Sequence, residues 1–184
     1  MAKVYLFLAD GFEEIEALAV VDLLRRARID INMVSVTGNL QVTGSHKIGV
    51  MADTLFEDTK FEDADMLVLP GGMPGTINLM NHEGLDKLLR KFHSENKLIA
   101  AICAAPTVLA SKGFLEGKNA TCYPGCESEM AGSNVLEQDV VEDGNIITSR
   151  GLGTAIDFAL AIIRKLTDEN LAKDIANRVV YRHY

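Results

Sequence analysis

Apolar runs too short to be globular helices recur along the chain, and stretches of helical periodicity lie between them. The runs are Lys3 to Ala9, Ile31 to Val36, Asp65 to Leu69 and Leu98 to Ile102. They are nearly unbroken blocks of strand formers, the pattern of strands buried on both faces of a sheet. After the first run, Glu13, Glu14 and Glu16 suit a helical first turn. Ile15, Leu18, Ala19, Val21 and Leu23 then recur at helical spacing, and Arg25, Arg26 and Arg28 match the helix C-terminus. Glu83 to Ser94 places Leu85, Leu88, Leu89 and Phe92 on one face, a helix ends near Lys112-Gly113, and Thr154 to Leu166 and Asp168 to Val180 read as two closing helices. Strands alternating with helices predict an α/β fold: a mostly parallel sheet covered by helices on both faces.

Three stretches have a different texture. Leu40 to Thr43 and Lys47 to Met51, on either side of Gly44-Ser45, predict a small hairpin, as do Asp139 to Glu142 and Asn145 to Thr148 around Asp143-Gly144. Ala120 to Tyr123 reads as a short strand before Pro124-Gly125. No linker, repeat or low-complexity stretch divides the 184 residues, so one domain over 1–184 is expected.

The net charge of −8, with no basic cluster to offset it, argues against nucleic acid or an anionic membrane as a main partner. No apolar run is long enough to span a bilayer as a helix. Met1-Ala2-Lys3 runs straight into a strand pattern without a secretory cleavage site, so a cytoplasmic location is expected. In that compartment Cys103, Cys122 and Cys126 read as thiols rather than a disulfide framework.

Ligands of open α/β sheets bind outside the carboxyl ends of the strands. This directs attention to Asp10 to Glu16, Pro70 to Gly75, Cys103 to Pro106 and Ser149 to Thr154. Cys103 stands where a buried strand stops, three residues before Pro106, a residue suited to a helical first turn. That is the setting of a nucleophile elbow with cysteine in place of serine, where exposed backbone N–H groups favour thiolate. The competing reading is a small apolar core residue. One of Glu13, Glu14 and Glu16 could reach the thiol, and a protonated carboxyl there would donate a hydrogen bond to a thiolate. Taken singly, each glutamate reads as part of a solvated acidic first turn.

The Pro70-Gly71-Gly72 turn could free backbone N–H groups for an oxyanion. Gly151-Leu152-Gly153 has the first two glycines of a dinucleotide fingerprint, but Ile156 stands where the third belongs, so tight helix–sheet packing explains it better. Cys122 and Cys126 lack the second ligand pair of a metal site, and His46, His82, His93 and His183 are scattered, so no metal is expected. Cys122 or Cys126 could instead resolve an oxidised Cys103 as a disulfide.

Four collinear stretches together resemble the ThiJ-type branch of the ThiJ/PfpI superfamily. They are Asp10 to Glu16 (DGFEEIE), Val68 to Gly72 (VLPGG), Ala100 to Pro106 (AAICAAP) and Thr148 to Thr154 (TSRGLGT). The resemblance implies a flavodoxin-like three-layer sandwich, usually a homodimer through the first helix. It implies Cys103 as nucleophile, Glu16 as protonated partner, and the N–H groups of Gly72 and Ala104 as oxyanion donors. Glu13, Gly71, Tyr123 and Arg150 are further candidates for the substrate pocket. Members of the branch are described as cofactor-free deglycases or glyoxalases acting on glyoxal and methylglyoxal adducts, and also as oxidative-stress sensors and chaperones.

The human member has a histidine near the cysteine where this chain has Tyr123, and a proline where it has Leu152. A phenol, with an unperturbed pKa of about 10, is a poor general base near neutral pH, so proton transfer would fall to Glu16 or water. Bacterial members of the branch also carry an aromatic residue there. The superfamily's proteases place histidine directly after the cysteine, where this chain has Ala104. Amidotransferases of similar fold need a late His-x-Glu pair, which is missing here. Peptidase and amidotransferase activities are therefore not expected.

Overall fold

The computed structural model describes residues 2–184. In chain order the first half holds β1 (Lys3–Leu8), α1 (Glu14–Arg26), β2 (Asp30–Ser35), β3 (Gln41–Thr43), β4 (Gly49–Met51), β5 (Thr54–Leu55), β6 (Met66–Leu69), α2 (Gly75–Asn81) and α3 (Glu83–Ser94). The second half holds β7 (Leu98–Ile102), α4 (Pro106–Ser111), β8 (Asn119–Ala120), β9 (Asn134–Val135), β10 (Val140–Asp143), β11 (Ile146–Ser149), α5 (Ala155–Leu166) and α6 (Glu169–Arg178). Seven strands form the main sheet in the order β10-β11-β7-β6-β1-β2-β5, with only β10 antiparallel to its neighbour. This is the flavodoxin-like α/β sandwich. Its chain reversal falls beside β1, which lies between β6 and β2, so the carboxyl ends of β1 and β6 open the crevice where such sheets bind ligands.

The alternation of side chains along β1 builds both cores. Val4, Leu6 and Leu8 join the cluster under α1, α5 and α6, with Ala17, Val20, Phe158, Ile162 and Ile175. Tyr5, Phe7 and Ala9 face the other way and join Leu79, Leu85, Leu89, Phe92, Val108 and Leu109 under α2, α3 and α4. A strand buried on both sides has no polar alternation, which is why these runs are continuous in the sequence.

Both predicted hairpins form: β3 pairs antiparallel with β4, and β10 with β11. Three elements have no counterpart in the sequence reading: α2, the edge strand β5 on β2, and β9, which pairs with β8. The strand expected over Ala120 to Tyr123 is corrected to Asn119–Ala120. Beyond it the Thr121 N–H turns to the Thr148 hydroxyl at 2.9 Å and the Tyr123 N–H to the Cys103 carbonyl at 2.8 Å, so the backbone leaves the ladder to cover the elbow.

Candidate active site

The elbow has the backbone its sequence implies. Cys103 adopts a left-handed conformation, φ +66°, between the end of β7 and Pro106 in the first turn of α4. Its N–H donates to the Ser149 carbonyl at 2.9 Å, continuing the pairing of β7 with β11. A residue with a Cβ is strained in this region by about 1–2 kcal/mol, and nucleophile elbows hold such a conformation to lift the side chain clear of the sheet. The Cys103 side chain is half-buried.

Glu16 reaches it from α1. The residue is 1 % exposed, and its Oε2 accepts the Gly71 N–H at 2.9 Å. Its carboxyl also hydrogen-bonds the Cys103 thiol. The close approach requires Gly71 to lack a side chain: a Cβ there would stand 2.6 Å from the Cys103 Cβ and 2.7 Å from Glu16 Oε2. Gly72 follows at φ +91°, where a Cβ would collide with the Glu13 N at 2.3 Å. The N–H groups of Gly72 and Ala104 point at the Cys103 sulfur.

Burial raises the Glu16 carboxyl to about 7, and the Glu13 charge adds to the rise; the bonds from Cys103 and the Gly71 N–H only partly oppose it. Burial pushes the Cys103 thiol up as well, and an ionised Glu16 pushes it further, against the N–H groups of Ala104 and Gly72. The two side chains therefore titrate as a pair. The first proton to leave creates one charge to be shared between sulfur and carboxylate. A neutral Glu16 removes the repulsion and leaves the two N–H groups to support a thiolate.

The acidic first turn is not solvated. Glu13, Glu14 and Glu16 are all buried, each for a different reason. Glu13 caps α1: its Oε2 accepts the Glu16 N–H at 2.7 Å. Glu14 clamps the β3–β4 turn, accepting the His46 N–H at 2.8 Å and the Ile48 N–H at 3.4 Å, with His46 Nδ1 3.0 Å away. Glu13, Glu14 and His46 place ligand atoms within 4.8 Å of one another, a spacing a metal ion could use. The Glu14 oxygens are already taken by the turn and one Glu13 oxygen by the helix N-terminus, so we assign the group to the fold.

The remaining candidates are spread more widely. Tyr123 is 51 % exposed. A Cβ on Gly151 would lie 3.3 Å from its ring and 3.9 Å from the Cys103 sulfur, so Gly151 keeps the space between ring and thiol open. Arg150 follows β11, its N–H on the Asp139 carbonyl at 3.3 Å, and its side chain makes no ion pair among the described residues. Cys122 is fully buried in the core under α3 and α4, and Cys126 packs against that core, whereas Cys103 packs against the opposite one. Burial raises the Cys122 thiol to about 11 and also pushes Cys126 up. Among the histidines, His82 caps α3 by accepting the Leu85 N–H, and His93 stacks on Phe114 with ring centroids 4.2 Å apart.

A doubly wound sheet with a strained cysteine elbow and a buried carboxyl against the thiol defines a class of cysteine-centred α/β proteins. The comparisons agree. Residues 2–165 match the DJ-1/PfpI family, and the chain belongs to it. It is 41% identical over 171 residues to Protein dj-1beta of Drosophila melanogaster, covering 92% of this chain and 91% of that one. It is 33% identical over 150 residues to Deglycase PYRAB04690 of Pyrococcus abyssi, covering 80% and 89%. Protein DJ-1 homolog B of Arabidopsis thaliana is 40% identical over 159 residues, which are 86% of this chain but 36% of that longer protein. The structure of oxidized Toxoplasma gondii DJ-1 superposes with a TM-score of 0.96 at 36% identity, over the full length of both chains.

Proposed function

We propose that the protein is a cofactor-free, cysteine-dependent deglycase or glyoxalase acting on methylglyoxal or glyoxal and their early adducts. The observation that carries this is the buried Glu16 carboxyl, held by the Gly71 N–H on the same side-chain-free spot that faces the left-handed Cys103, which sets a nucleophile and a proton carrier side by side. The Cys103 sulfur adds to the aldehyde carbon to form a hemithioacetal. From an adduct, the amine leaves as the sulfur takes its place on that carbon. The N–H groups of Gly72 and Ala104 hold the developing oxyanion, Glu16 moves the proton as the hemithioacetal rearranges to a thioester of the hydroxy acid, and water then cleaves the carbon–sulfur bond to release the acid and regenerate the thiol. Gly71 lets the three parts meet, and on this reading Tyr123 and Arg150 would contact the substrate. The relative from Pyrococcus abyssi is named a deglycase, which supports the same chemistry here.

Release of lactate from fresh methylglyoxal adducts tests the reading, under metal chelation and in a buffer free of competing amines. Product formation is expected to vanish in Cys103→Ser and to fall by about 10²-fold or more in Glu16→Gln. Wild type making no more product than the serine variant would refute it.

A second reading uses the same geometry. The thiol is half-exposed beside two N–H donors, so an oxidant that reaches it would leave a sulfinate held in place, and Cys103 would act as an oxidative-stress sensor or chaperone switch. Stoichiometric oxidation without turnover would favour that role. We further propose a homodimer through α1 in the cytoplasm. Among the described residues no helix is long and apolar enough to cross a membrane. Ile15, Leu23, Leu152, Ile156 and Val180 line an apolar groove between α1 and the C-terminal turn that a second copy would cover.

A further inference from the structure

Glu13, Glu16 and Gly71 close a ring of three hydrogen bonds. The Glu13 N–H donates to the Gly71 carbonyl at 2.8 Å, the Gly71 N–H to Glu16 Oε2 at 2.9 Å, and the Glu16 N–H to Glu13 Oε2 at 2.7 Å. The first and last bonds fix a second carboxylate beside Glu16 at a set position, with its own side chain 10 % exposed. No lysine or arginine pairs with Glu13 among the described residues. His46, from the β3–β4 turn, faces it with Nδ1 3.9 Å from Oε1, and that ring lies closer to Glu14. From the other elements packed on Glu16, the Cys103 thiol and the Gly71 N–H face it.

We propose that Glu13 is a positioning residue: its fixed negative charge biases the proton shared by Glu16 and Cys103 toward Glu16, and so biases the charge of the pair toward sulfur. An N-cap alone needs only a hydrogen-bond acceptor, which serine, threonine, asparagine or aspartate supplies with a shorter chain. A glutamate in this place brings a charge as well, at the end of the helix that carries the site's acid. The effect follows from Coulomb's law. The Glu13 charge is among the groups that push the Glu16 carboxyl up, and it is not among the principal ones acting on the Cys103 thiol, so it disfavours the carboxylate of the pair.

The proposal rests on reading Cys103 and Glu16 as a proton-sharing pair and not on the identity of the substrate. Its test therefore uses no aldehyde. The rate of Cys103 alkylation by iodoacetamide is followed against pH by mass mapping of the Cys103 peptide, so that Cys122 and Cys126 do not contribute. Glu13→Gln keeps an acceptor for the Glu16 N–H and removes the charge. The acid inflection of the profile is expected to move down by roughly half to one pH unit, with the rate on the plateau above it falling severalfold as the pair's charge moves to the carboxylate. A Glu13→Gln profile that superimposes on wild type would overturn the proposal and leave Glu13 a helix cap only. Should Glu13→Gln fail to fold by circular dichroism, Glu13→Ser keeps a capping oxygen at the start of α1 and removes the charge. It is expected to move the profile in the same direction, and an unmoved profile would overturn the proposal.

Discussion

At the scale of single residues, the site places groups where they are costly on their own. Cys103 occupies a left-handed backbone, and Glu16 is an acid with almost no contact with water. Such costs persist where surrounding structure over-determines the conformation, as functional sites require. The backbone cost can be read directly by comparing two variants that both remove the thiol. Cys103→Gly is expected to be more stable than Cys103→Ala by about 1 kcal/mol, because glycine occupies φ +66° without strain. In an ordinary strand or helix the order is reversed. Urea denaturation of the two variants checks this, and alanine proving the more stable would contradict the strain assignment. The place of Cys103 at a strand end was legible in the sequence, because the apolar run stops there three residues before a helix-starting proline, whereas position alone left it equally open to a small core residue. The roles of Glu13 and Glu14 were not. Glu14 is bound by His46 and Ile48, more than thirty residues away, and no local spacing signals a partner at that distance.

At the scale of elements, α1 does more than cover the sheet. Its N-terminus brings Glu16 to the thiol and caps itself with Glu13, its first turn holds the β3–β4 hairpin through Glu14, and its inner face packs on α5. Gly44 makes the hairpin contact possible, since a Cβ there would lie 2.2 Å from Glu14 Oε1. On the outward side Ile15 is 50 % exposed, one residue from Glu16. If the proposed homodimer forms through this face, Ile15→Asp should shift the protein from dimer to monomer in analytical ultracentrifugation. An unchanged dimer would move the interface elsewhere. Legible in advance were the elements with a repeating pattern (buried strands, α1, α3, α5 and α6), together with α4 and the two hairpins, which proline and glycine turn signals mark. Helix α2 escaped because it runs for seven residues after a Pro-Gly turn and buries little beyond Thr76 and Leu79. Strands β5 and β9, two residues each, exist only through the neighbours they pair with, and propensity cannot show that.

For the molecule as a whole, the site leaves a signature in the dependence of stability on pH. Glu16 is raised from 4.5 to about 7 by folding, so between those values the native state holds a proton that the unfolded chain has released. The stability due to this group is therefore present below 4.5, falls as pH rises through the window, and is lost above about 7. Glu16→Gln removes the buried charge and should be more stable than wild type at pH 8, by on the order of 2 kcal/mol, with little difference near pH 5. Urea denaturation at both pH values checks the sign; equal stability at pH 8 would contradict it. Glu14 works the other way. Burial pushes its carboxyl up, but the bonds from His46 and the Ile48 N–H outweigh burial and hold it below 4.5. Its contribution is present above 4.5 and lost as pH falls further, so the hairpin clamp weakens in acid.

The measurement closest to the central claim is the amount of lactate or glycolate released per Cys103 thiol, with the mass of the Cys103 peptide followed in the same samples. Many product molecules per thiol are expected, with a Cys103 peptide of unchanged mass after turnover and none of this product from Cys103→Ser. Product no greater than that of the serine variant, or product that stops at one per thiol with the cysteine left oxidised or alkylated, would contradict the claim.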